Sequence, residues 1–156
     1  MRLFKLLLCL LLTASLPSVA SAATLKTVAM RPAPELTGQQ LNGRPIDLQK
    51  LRGQVVLVSF WATWCPPCRQ EMPSMDRLDK MFAKQPLTVL AVNVGEPADM
   101  VERYIDDVRV GFTVVLDEKN TLSKPWKAFM YPTSYLVDKQ GRLRYLVQGS
   151  LEWDSP

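Results

Sequence analysis

No stretch of the chain constrains its fold more than Val55-Val56-Leu57-Val58-Ser59-Phe60. A nearly unbroken apolar, β-branched run of this kind predicts a strand covered on both faces. It continues through Trp61-Ala62-Thr63-Trp64 into Cys65-Pro66-Pro67-Cys68. From Arg69 to Met81 the residues are mostly helix formers, and Met72, Met75 and Leu78 recur at helical spacing. Two prolines fit the first turn of a helix, where backbone N–H groups have no intrahelical partner. The stretch thus predicts a buried strand that delivers two cysteines to the start of a helix.

That placement carries chemistry. A helix N-terminus bears partial positive charge and free donors, which stabilise a thiolate. Cys65 is expected to be an exposed nucleophile of low pKa, and Cys68, one turn inward, to be the shielded resolving thiol. Pro66 and Pro67 have no N–H, so the Cys68 amide is the first donor able to point at the Cys65 sulfur. The pair reads as a dithiol/disulfide couple that calls for no cofactor. A zinc site needs two further ligands, and the chain has no His and only one other cysteine, Cys9.

The first residues set the compartment. Met1 to Ala22 reads as a secretory signal, with Arg2 and Lys5 as the basic region, Leu6 to Leu16 as the apolar region and Ala20-Ser21-Ala22 as the cleavage site. Cys9 falls within the apolar region and is discarded with it. The run is short for a bilayer span, so cleavage is expected rather than an uncleaved membrane anchor. Residues 23–156 then form one domain with a single cysteine pair in an oxidising compartment. A disulfide-stapled scaffold carries more cysteines, so one pair points to a catalyst of thiol exchange. The net charge of +4 owes half its excess to Arg2 and Lys5, and no basic run implies nucleic acid.

Thr24 to Gln40, rich in Pro and polar residues, reads as an extended arm, with a hairpin turning at Asn42-Gly43. Leu48 to Gly53 is a connector. Leu87 to Val94 predicts a second buried strand, and Pro97 opens a helix to Val108 with Met100, Val101, Tyr104 and Ile105 on one face. Phe112 to Leu116 predicts a third strand. Thr121 to Phe129 reads as a short helix broken by Pro125. Thr133 to Val137 and Leu143 to Val147 form a hairpin around Asp138-Lys139-Gln140-Gly141. The order predicts an α/β domain whose mixed sheet carries helices. Ser155-Pro156 resembles the start of a helix, so a final helix is expected to be absent from this chain.

The chain resembles the thioredoxin superfamily and, more narrowly, the exported thiol-disulfide oxidoreductases of the TlpA/ResA kind. The resemblance rests on Leu51-Arg52-Gly53-Gln54-Val55-Val56-Leu57-Val58, on Phe60 through Arg69, on Glu71-Met72-Pro73, and on Tyr131-Pro132-Thr133-Ser134-Tyr135-Leu136-Val137-Asp138. It implies a thioredoxin-like fold with a central mixed sheet, flanking helices and an N-terminal hairpin. Pro132 matches the family's cis-proline beside the active-site disulfide, and Tyr131 would offer its backbone to a substrate segment. Pro73 matches a proline that kinks the active-site helix. Trp64 would shield the sulfurs, while Trp61 reads equally as core. Thioredoxins commonly carry a buried Asp six residues before the first cysteine, where this chain has Ser59. Proteins similar to ResA place a Glu three residues after the second cysteine, and Glu71 stands there. As a partly buried carboxylate Glu71 would exchange protons with Cys68; alternatively it is a solvated residue pairing with Arg69 or Lys80. Glu96 is a weaker candidate for a rim acid, and reads first as a residue ahead of a helix.

The expected activity is thiol-disulfide exchange in the periplasm, with protein thiols and disulfides as substrates and a membrane thiol reductase as electron donor. Reduction of apocytochrome cysteines during cytochrome c maturation is the job the resemblance implies. A metal-handling protein that delivers copper, or a reductant of the cysteines of a copper site, is the alternative, since two thiolates bind Cu(I), although copper chaperones of this fold usually add a His. A thiol peroxidase would need Thr at position 62, which is Ala62.

Overall fold

The computed structural model describes residues 23–155. The secretory signal, Cys9 and Pro156 lie outside the described residues. In chain order the elements are β1 (Lys26–Pro32), β2 (Thr37–Gln40), β3 (Pro45–Asp47), a single 3-10 turn (Leu48–Leu51), β4 (Val55–Trp61), α1 (Pro66–Met81), β5 (Leu87–Val94), α2 (Ala98–Val108), β6 (Thr113–Asp117), β7 (Thr133–Val137) and β8 (Arg142–Gln148).

The two apolar runs become the middle of the sheet. β4 and β5 pair in parallel from Val55↔Leu87 to Trp61↔Asn93, and β6 extends the parallel set beside β5. On the other side of β4 lies β7, antiparallel, followed by β8. The full order is β1-β8-β7-β4-β5-β6-β2-β3. α1 and α2 are the crossovers between successive parallel strands, and right-handed connections running the same way put both helices on one face. There Leu57, Trp61, Val89 and Ala91 pack with Met72 and Met75 of α1 and Val101 of α2. Met100 was expected on this apolar face and is exposed instead. Such a thioredoxin-like architecture follows from the burial of alternate strand residues toward two separate cores.

The opposite face has no helix among the described residues. Val56, Val58, Phe60, Leu90, Val92 and Val94 are covered there by Leu48 of the 3-10 turn and by Ala33, Leu36, Trp126 and Ala128 from irregular chain. Trp126 packs against Phe60 and Tyr135 with ring centroids 5.6 and 5.3 Å away. Two expectations change here. The supposed arm is not free: β1 is an edge strand antiparallel to β8, and β2 adds to β6 at the far side of the sheet. Nor is 121–129 a helix, even a broken one. Buried Asp117 accepts the N–H groups of Thr121, Leu122 and Ser123, which gathers this segment into successive turns.

After β8 the chain folds back across α1 as turns and irregular backbone, without a helix through Ser155. No helix among the described residues is long and apolar enough to cross a membrane.

Candidate active site

β4 runs straight into the site. Its last residue, Trp61, is buried against the Tyr104 ring, 5.5 Å between centroids, so the indole serves the core. A tight turn follows, closed by the Cys65 N–H donating to the Ala62 carbonyl at 3.2 Å. Cys65 is then the N-cap of α1, with extended backbone, and Pro66 and Pro67 occupy the first helical positions. The Cys68 amide donates to Cys65 Sγ at 3.3 Å. The two cysteines form a disulfide, their Cα atoms 5.3 Å apart.

Exposure differs from expectation in two places. Cys65, read as exposed, is only 3 % accessible in this oxidised form. It is packed in the helix-side core with Trp61, Ala62, Met72 and half-buried Tyr131. Trp64, read as a shield over the sulfurs, stands 65 % exposed. Its ring meets Tyr131 edge-on at 5.9 Å, which brings the cysteine turn and the Tyr131-Pro132 loop together. The Tyr131–Pro132 peptide is cis, and Pro132 is buried. Among the described residues, the Tyr131 N–H and C=O have no backbone partner. Phe129 and Met130, just before it, are exposed.

Glu71 is 2 % exposed. It faces inward from α1 three residues beyond Cys68, on the same helix face. Ser59 Oγ donates to Glu71 Oε1 at 3.2 Å, and Ser134 Oγ donates to Ser59 Oγ at 2.8 Å. Oε2 accepts from the Leu151 amide at 3.3 Å and from Trp153 Nε1 at 3.2 Å. Pairing with Arg69 or Lys80 does not occur: Arg69 lies over the Tyr104 ring and Lys80 pairs with Asp76. Burial pushes the carboxyl from about 4.5 up to about 7, against the three hydrogen-bond donors, which favour the anion. Ser59 thus holds the acid supplied by Glu71 instead of carrying one itself.

Glu96 is 4 % exposed and is more than a residue ahead of a helix. Its Oε2 accepts from the Thr63 amide and from Asn93 Nδ2, each at 2.7 Å, and Oε1 accepts from Thr63 Oγ1 at 2.5 Å. It grips the turn between β4 and the cysteines. Thr63, Asn93, Ser134, Leu151 and Trp153 join these carboxyls without a motif to mark them in the sequence. The one local signal was a carboxylate straight after an apolar strand, in Asn93-Val94-Gly95-Glu96.

A disulfide capping a helix at the end of a central strand, with a buried acid one turn on and a cis-proline loop opposite, defines a thiol-disulfide oxidoreductase of thioredoxin-like fold. The chain belongs to the AhpC/TSA family, which it matches over residues 29–146. It is 36% identical over 119 residues to the thiol-disulfide oxidoreductase ResA of Geobacillus thermodenitrificans, a match covering 76% of this chain and 68% of that protein. To the thioredoxin-like protein YneN of Bacillus subtilis it is 35% identical over 122 residues, covering 76% and 71%. Among solved structures, a thiol:disulfide interchange protein of the thioredoxin family from Chlorobium tepidum superposes with a TM-score of 0.71 at 28% identity, covering 80% of this chain and 89% of that one. Protein thiols and disulfides are the substrates this class implies.

Proposed function

We propose that the protein is an exported reductant of specific protein disulfides, with Cys65 as nucleophile, Cys68 as resolving thiol and Glu71 as the proton acceptor for Cys68. One observation carries the assignment: Cys65 is the N-cap of α1 and its sulfur accepts the Cys68 amide. That donor and the helix N-terminus both favour a thiolate on Cys65. In the reduced protein the Cys65 thiolate attacks a substrate disulfide, forming a mixed disulfide and releasing one substrate thiol. Cys68 passes its proton to the Glu71 carboxylate and attacks Cys65 Sγ. The second substrate thiol leaves, and the Cys65–Cys68 disulfide holds the two electrons' worth of oxidation. A membrane thiol reductase returns the pair to dithiol. The reading of Met1 to Ala22 as a secretory signal supports a periplasmic setting, and the resemblance to ResA supports reduction of apocytochrome cysteines in cytochrome c maturation.

Cys68→Ala is expected to trap substrates on Cys65. Trapping through position 68 in a Cys65→Ala variant would reverse the assignment. Direction is tested by the reduction potential of the couple in a redox buffer. A value near or below roughly −270 mV fits a reductant, and one near roughly −120 mV an oxidant, which would remove the cytochrome-maturation role.

A further inference from the structure

The segment from Gly149 to Ser155 lies along α1 and is fastened to one stripe of it. Glu71, Ser74 and Arg77, three residues apart, each hold it. Ser74 Oγ lies 3.3 Å from the Leu151 carbonyl and 3.2 Å from the Trp153 amide that donates to it. Arg77 Nη2 donates to Asp154 at 3.1 Å and to Glu152 at 3.3 Å. These anchors seat half-buried Trp153 so that its indole N–H reaches Glu71 Oε2 at 3.2 Å, beside the Leu151 amide.

Every hydrogen-bond partner of the Glu71 carboxyl is neutral: Ser59 from β4, which is held in turn by Ser134 of β7, and the Leu151 and Trp153 N–H groups from the segment. The charged residues of the segment, Glu152 and Asp154, are turned to Arg77, and Asp76 of α1 is taken by Lys80. The titratable group on the same helix face is Cys68. An N–H donor to a carboxylate stabilises the anion, and in a buried site that effect is undiluted by water.

We propose that Trp153 is a positioning residue for thiol exchange: its indole N–H fixes the Glu71 carboxyl at the inner side of the active-site helix, so the segment across α1 sets how readily Cys68 loses its proton. This rests on the proposed role of Glu71, and the experiment separates the two. Trp153→Phe keeps an aromatic ring in the helix-side core and deletes only the donor. Cys68 ionisation is followed by thiolate ultraviolet absorbance against pH in the full chain carrying Cys9→Ala and Cys65→Ala. The Glu71-linked inflection is expected to rise by about one pH unit in Trp153→Phe, the size of one charge-assisted hydrogen bond. Glu71→Gln is expected to abolish that inflection, and Trp153→Phe to add nothing in the Glu71→Gln background. An inflection unmoved by Trp153→Phe but abolished by Glu71→Gln overturns the proposal for Trp153 alone. A profile unmoved by Glu71→Gln removes the role of Glu71, and this proposal with it. Should Trp153→Phe fail to fold, the NMR signal of the wild-type Trp153 indole N–H decides. It is expected to titrate near pH 7 and to be flat in Glu71→Gln; a flat wild-type signal overturns the proposal.

Discussion

Glu71 and Glu96 are both buried carboxyls, one on the active-site helix and one hydrogen-bonded to the turn before it, yet they are built for different work. Glu96 spends its oxygens on Thr63, in the turn after β4, and on Asn93, near the end of β5. It fastens backbone, and what it holds is the turn that presents Trp64 and Cys65. Glu71 spends its oxygens on two separate parts of the chain, Ser59 of β4 and the segment holding Leu151 and Trp153. None of those donors carries charge to offset its burial, and its proton affinity rises accordingly. A buried acid is a clamp when its donors belong to the loop it holds. It becomes a proton site when burial outweighs neutral donors drawn from elsewhere.

Stability against pH gives the largest test of that contrast. Glu71 binds its proton more tightly folded than unfolded, so its contribution is fully present below about pH 4.5 and is lost as pH rises through about 7. The shift corresponds to roughly 3 kcal/mol. Glu71→Gln is expected to be more stable than wild type above pH 7 by up to that amount and to lose the dependence between about pH 4.5 and 7. Urea unfolding of the oxidised protein at several pH values measures both, and identical pH dependence in the two proteins would break the distinction. Glu96→Ala orphans the Thr63 amide and the Asn93 side chain, at a cost of about 2 kcal/mol. Urea unfolding measures that loss, and slower disulfide exchange with an unmoved Cys68 titration is expected beside it. The smallest effect falls on Arg77→Ala, whose ion pairs to Asp154 and Glu152 are on the surface. Chemical unfolding should show a slight loss that vanishes in high salt.

Much of this was legible in the chain. Leu87–Val94, the β7–β8 hairpin and the entry into α1 are local patterns of apolar periodicity, turn residues and first-turn prolines, and they form where those patterns put them. β1 escaped because Lys26-Thr27-Val28-Ala29-Met30-Arg31-Pro32 is an almost wholly exposed edge strand with no buried face to mark it. The depth of Cys65 was illegible for another reason. A helix-start cysteine followed by two exposed prolines has the composition of a surface site, and it packs in a core cluster that includes Met72 of its own helix and Tyr131 from the distant cis-proline loop. The surroundings of Glu71 were hidden most completely. Its partners Ser59, Leu151 and Trp153 stand 12, 80 and 82 residues away in sequence, beyond the reach of any local pattern.

The edge position of β1 also bears on the order in which the domain is made. Lys26 pairs with Leu146, so the first strand of the sheet waits for the last. A chain emerging N-terminus first presents β1 long before β8 exists, and the belt through Ala33 and Leu36 has no sheet face to cover until β4 and β5 have met. Closure is therefore a late, non-local event of high contact order, slow beside the helix and hairpin steps that precede it. Until then both edges of the strand are open to other chains, and pairing with β8 closes one of them.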